Sequence, residues 1–167
     1  MDKLDIVTDE SGNEVVLLPE IIFSNKQNIN WNDVEDYLGK YVGELIEIAE
    51  TRDIIYIGNK FPDEYGGSSY TRKQRRKSKS KGKCAQGIRE MVEIATDKVY
   101  RENHKEKHSE DAHNGWFYYV TRFAIPLYNN EKKTGEYNVY SACLVVNHAA
   151  NGKMYLYDVV GIKKRSE

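Results

Sequence analysis

Two cysteines, Cys84 and Cys143, are all the chain has, too few and too far apart for a disulfide framework or a paired-cysteine metal site. A reducing compartment is the expectation. No apolar run approaches the ~20 residues that a membrane-spanning helix needs, and the opening "MDKLDIVTDE" is acidic where a signal peptide would be basic. The expected place is therefore the cytoplasm, with no membrane partner. Also missing are a glycine-rich phosphate loop, an HExxH pair and any serine-histidine-aspartate order. Those absences speak against motif-bearing nucleotide-binding enzymes, zinc proteases and serine hydrolases. No repeat with a period of about 20 to 50 residues is visible, which speaks against a solenoid.

At 167 residues the chain suits one domain, able to bury about 70% of its unfolded surface without staples. Hydrophobic residues at 40% and charged ones at 31% make an ordinary globular composition, so the 13 tyrosines stand out. Tyrosine suits half-wet sheet faces and interfaces alike. The formal net charge of −1 hides an asymmetry, because "TRKQRRKSKSKGK" from Thr71 to Lys83 carries eight basic residues and no acid. Such a block either attracts a polyanion in a salt-dependent way or is simply a solvated face. On the first reading Arg72, Arg75, Arg76, Lys77, Lys79, Lys81 and Lys83 contact nucleic acid.

Residues 1–14 look like a flexible acidic arm, and residues 15–167 like one domain. In "NINWNDVEDYLGKYVG", Asn30 can cap a helix whose Trp31, Val34, Tyr37, Leu38, Tyr41 and Val42 share one apolar face. "ELIEIAETRDIIYIG" alternates and breaks as a hairpin does. After Gly82 the pattern favours helix as far as Gly115, with Ile88, Met91, Val92 and Ile94 to Ala95 packing inward and an interruption near Thr96 and Asp97. "WFYYVTRFAIPLY", "YNVYSACLVV" and "KMYLYDVVGI" then read as three strands, joined by turns so short that the neighbours are antiparallel. The expected fold class is α+β, with helices packed on one face of a mainly antiparallel sheet of about four to five strands.

In "HKEKHSEDAHNGWFYYVTRF", His104 and His108 are four apart and share a face if helical, and His113 follows before the turn. A metal is geometrically conceivable there, but the lysines alongside oppose it, and no metal or cofactor is expected. His108 beside Lys107 is the candidate acid or base, since histidine titrates near neutral pH. Period-two geometry puts Phe117, Tyr119, Thr121, Phe123 and Ile125 on one strand face and Trp116, Tyr118, Val120 and Arg122 on the other. Arg122, if covered, needs a carboxylate, an aromatic stack or a bound anion. Tyr118 and Trp116 either stack bases or fill the sheet surface. Ser141 is placed with Val139 and Cys143 on the same open side.

"IIYIGNKFPDEYGGSSYTRK", "AQGIREMVEIATDK", "KHSEDAHNGWFYYVTRFAIPLY" and "KMYLYDVVGIKK" together resemble domains attached to large polyvalent proteins of bacterial phages and conjugative elements. Those domains are assigned to the barnase, EndoU, colicin and RelE-like nuclease superfamily. The resemblance covers most of the chain from about Ile22 and implies helices packed on a four-stranded antiparallel sheet. It also implies a metal-independent ribonuclease in which the 2′-hydroxyl of RNA attacks its own phosphodiester, acting in a bacterial cytoplasm as a toxin or anti-host effector. On that implication His108 is the general acid or base, Arg122 stabilises the phosphorane, Tyr157 orients the phosphate, and Lys81 or Lys83 adds positive potential. RNA is the expected partner, with an immunity protein or host nucleic-acid machinery as a further one. The alternative is a non-catalytic inhibitor that binds nucleic acid or protein through the basic 71–83 segment.

Overall fold

The computed structural model of the chain describes residues 3–19, 30–67, 79–102 and 114–165. Strands β1 (Ile6–Thr8) and β2 (Glu14–Leu17) form a small hairpin, so part of the stretch read as an arm is paired. Helix α1 (Trp31–Leu38) starts where the sequence places it, because the Asn30 side chain accepts hydrogen bonds from the Asn32 and Asp33 N–H groups. Strands β3 (Leu45–Glu47) and β4 (Ile54–Tyr56) are the second hairpin. Helix α2 (Phe61–Gly67) follows, and then a broken helical stretch made of α3 (Lys79–Cys84), one 3-10 turn and α4 (Ile88–Glu93). Strand β5 (Thr96–Arg101) leads into the three long strands β6 (Trp116–Asn129), β7 (Lys132–His148) and β8 (Met154–Lys164).

All eight strands belong to one sheet in the order β1-β2-β6-β7-β8-β4-β3, with β5 also paired to β6. The two partners β2 and β5 lie end to end on one edge of β6, against its Phe123 half and its Trp116 half respectively. The pairs β2/β6 and β4/β8 are parallel, and the rest are antiparallel. The expected four-to-five-stranded, mainly antiparallel sheet under packed helices is thereby overturned. The sheet is mixed, has eight strands among the described residues and curls into a half-barrel, with the short helices α1 to α4 beside it.

The physical reasons are local. Strands β1, β3 and β4 have three residues each, too few for alternation to register. β5 is "TDKVYR", polar and almost wholly exposed, so its sequence continues the helical pattern of α4 while its backbone follows the edge of β6. The expected helix from Gly82 to Gly115 therefore stops at Ile94, whose N–H closes the last helical bond on the Glu90 carbonyl. Parallel pairing joins segments more than a hundred residues apart in the case of β2 and β6, and turn chemistry carries no sign of it.

Gly115 leads into β6 at φ +100, and a Cβ there would lie 2.7 Å from the Arg101 carbonyl oxygen. Only glycine accommodates both the backbone and the close approach. The core lies between the helices and one face of the sheet. Tyr119, Phe123, Leu144, Val146, Leu156 and Val159 meet Val34, Leu38, Phe61, Tyr65, Ile88 and Met91 there. Thr121 is buried with them and donates to the Met91 carbonyl at 2.7 Å.

Candidate functional site

Residues directly opposite in an antiparallel pair share a sheet face, so the register defines what lies on the face turned away from that core. Trp116 faces Arg101 on β5 and Asn147 on β7; Tyr118 faces Val99 and Val145; Val120 faces Cys143; Arg122 faces Ser141. On β8, Ser141 faces Lys163 and Cys143 faces Val160. Three strands thus line up Arg122, Ser141 and Lys163 in one row. About 20 Å along β6, at ~3.3 Å per residue, a second row carries Arg101 and Trp116. Tyr118 stands between the two.

Arg122 is half-buried and Lys163 and Arg101 are exposed. Among the described residues none of the three has an ion-pair partner. The acid of β8, Asp158, is buried. β7 pairs Val145 with Asp158 but Val146 with Leu156, so Tyr157 is the extra residue. As a result Asp158 and Val159, which would point oppositely in a regular strand, are both buried. Tyr157 stays on the other side, its ring edge-on to Trp116 with centroids 5.0 Å apart.

Asp158 spends its charge on Lys81. The Lys81 ammonium donates to Asp158 Oδ1 at 2.6 Å, and both side chains are essentially inaccessible. Tyr65 lies over the ammonium, donates its hydroxyl to the Lys81 carbonyl and is 3.1 Å from Cys84 Sγ. Burial lowers the Lys81 pKa, and the Asp158 carboxylate opposes that by stabilising the charge. Burial also pushes the Cys84 thiol up to about 12, which makes it an inert packing group. Lys81 is a structural cation inside the protein, not the contact for an external polyanion or the electrostatic helper that the sequence suggests. A run of alternating lysines gives no hint that one of them points into the core.

The other expected site residues divide into three groups. Arg122, Tyr118 and Tyr157 lie on the second face, although Tyr157 is held against Trp116, at the opposite end from Arg122. Lys83 is half-buried at the end of α3, and Lys79 begins that helix. His108, Arg72, Arg75, Arg76 and Lys77 lie outside the described residues, as do His104 and His113. Sequence reasoning missed Arg101 because β5 reads as helix, and missed Lys163 because nothing local aligns it with Arg122. Among the described residues no group of histidine, cysteine, aspartate and glutamate could hold a metal ion, and no helix is long and apolar enough to cross a membrane.

A cavity of about 270 Å³ adjoins this face between the start of α2, with the loop leading into it, and strands β7 and β8. Lys60, Phe61, Glu64, Asn147, Tyr155 and Tyr157 are among its lining residues. Asn147 is 7% exposed, and its Oδ1 is buried without a hydrogen-bond partner. Asn147 and Tyr157 thus belong both to the cavity and to the aromatic end of the face. No family model, no curated protein and no solved structure matches the chain.

Proposed function

We propose that this domain binds single-stranded nucleic acid, RNA in the first place, along the second face of β5 to β8. The observation that carries the reading is the half-buried Arg122 guanidinium, which has no carboxylate partner among the described residues and shares a row with Ser141 and Lys163. A partly desolvated guanidinium needs an anion, and its planar fork suits a phosphate. The aromatic end supplies the second element of such a surface. Bases stack on tyrosine and tryptophan for about 1–3 kcal/mol each with little sequence preference. Arg101 beside Trp116 adds a cation at that end.

Spacing favours binding an extended strand over cutting at one point. General acid-base work on one phosphodiester requires its groups within hydrogen-bond reach of the same atoms. Arg122 and the Trp116–Tyr157 pair are instead separated by about 20 Å of strand. The ribonuclease implied by the sequence resemblance would need His108 to complete an active site around Arg122 alone.

Anisotropy titration of a fluorescent single-stranded RNA separates the possibilities. Arg122→Ala and Lys163→Ala each weaken binding on the proposed reading, whereas Lys153→Ala, whose ammonium sits over Tyr56, leaves it unchanged. Equal affinity for all four proteins would overturn the reading. The same mixtures, run on a denaturing gel with chelator present, test cleavage; fragments that vanish in His108→Ala would make the domain a ribonuclease.

A further inference from the structure

We infer that the cavity between the start of α2 and strands β7 and β8 receives one nucleobase of the bound strand, a base carrying an exocyclic amino group. The inference rests on the nucleic-acid reading of the adjoining face and names what that face would select. Volume is the first argument. About 270 Å³ lies just under the ~300 Å³ at which ordinary small-molecule pockets begin, so the space suits one ring system and not a dinucleotide.

The lining is the second argument. Phe61, Tyr155 and Tyr157 supply aromatic walls, and every base has a π-face to lay against them. The polar groups among them then decide which edge fits. Asn147 Oδ1 is a buried acceptor left without a donor, a state that costs free energy until a donor arrives. Glu64 is half-buried, makes no side-chain hydrogen bond or ion pair among the described residues, and as a carboxylate can only accept. Two acceptors call for a ligand edge rich in N–H groups. Adenine, cytosine and guanine present an exocyclic amine, whereas uracil offers a single ring N–H flanked by carbonyls that the Glu64 carboxylate would repel.

Continuity is the third argument. Asn147 is the cross-strand partner of Trp116, and Tyr157 touches the Trp116 ring. A strand stacked on Trp116 therefore has the cavity mouth beside it, and one base can leave the stack and enter. The lowest-cost candidates for such extrusion are unpaired bases, in keeping with a single-stranded ligand.

The test titrates the full chain with short homo-oligomers of riboadenosine, ribocytidine and ribouridine. Wild-type protein should bind the adenosine or cytidine oligomer at least about fivefold more tightly than the uridine one, the factor expected for one hydrogen bond. Asn147→Leu should erase that preference while leaving the Arg122-dependent, salt-sensitive part of binding. Glu64→Ala should reduce it, and this half-buried position keeps the test valid if Asn147→Leu does not fold. Equal affinity of the wild type for all three oligomers, or a preference untouched by both substitutions, overturns the cavity assignment and leaves the face reading standing. No binding of any oligomer overturns both.

Discussion

The two faces of β6 treat polar groups in opposite ways, although they come from alternate residues of one strand. On the covered face every polar atom that the strand turns inward meets a partner. The Tyr119 hydroxyl donates to Asp53 Oδ2 at 2.8 Å and Thr121 to the Met91 carbonyl at 2.7 Å. On the other face Arg122 is half-buried with no such partner among the described residues. The same contrast separates the cations of the chain. Lys81 is buried and neutralised by Asp158, whereas Arg122, Lys163 and Arg101, set in rows by the register, have no ion-pair partner among the described residues. A satisfied polar group holds a fold together, and an unsatisfied one on a partly covered face holds something else.

Breaking the covered side should have the largest effect. Lys81→Ala removes the buried ammonium that neutralises the Asp158 carboxylate, and should cost about 3–5 kcal/mol of unfolding free energy in a urea titration. The double replacement Lys81→Met with Asp158→Leu should recover most of that loss, because a buried pair exchanged for apolar groups is often neutral. A Lys81→Ala protein as stable as wild type would mean that the pair is not closed from water. Next comes Gly115→Ala, which forces a Cβ into the left-handed region and against the Arg101 carbonyl. A loss of about 1–3 kcal/mol is expected, read as a lower Tm.

Smaller again is the Asp53 cluster, where Lys98, Thr51 and Tyr119 all reach Asp53 Oδ2. Tyr119→Phe should cost about 1–2 kcal/mol. Burial by itself would raise the Asp53 carboxyl, but those three hydrogen bonds outweigh it and hold the group below its ordinary 3.8. The folded state thus binds this proton more weakly than the unfolded chain. The resulting stability is present above 3.8 and is lost as the pH falls through the lowered folded value. Asp53→Asn should remove that part of the acid dependence in urea titrations run from neutral pH downward; an identical acid profile would contradict it. Smallest is Arg122→Ala, whose effect on stability should stay within about 0.5 kcal/mol, since no partner among the described residues is lost. A large destabilisation would place Arg122 with Lys81 as a structural cation and dissolve the contrast.

How much of this was legible in the sequence depends on the range of the interaction. The Asn30 cap, the β3–β4 hairpin and the alternation of Tyr119, Thr121 and Phe123 against Tyr118 and Arg122 are set by neighbours within a few residues, and each is where the pattern puts it. The edge strand β5 and the parallel pairs β2/β6 and β4/β8 are set by what lies across the sheet, which short polar or three-residue segments do not encode locally. The site follows the same division. Arg122 and Tyr118 stood out as a cation and an aromatic on one strand. The alignment with Lys163 and Arg101, the bulge that turns Asp158 inward and the burial of Lys81 are products of register.

The central claim is that nucleic acid lies across the Arg122 and Lys163 row, and the salt dependence of binding tests it most directly. Each phosphate contact on a single strand contributes about −0.7 to the slope of log affinity against log salt concentration. Arg122→Ala combined with Lys163→Ala should therefore make the slope shallower by about 1.4, with weaker binding at low salt. An unchanged slope in the double variant would contradict the account, because the strand would then be held elsewhere.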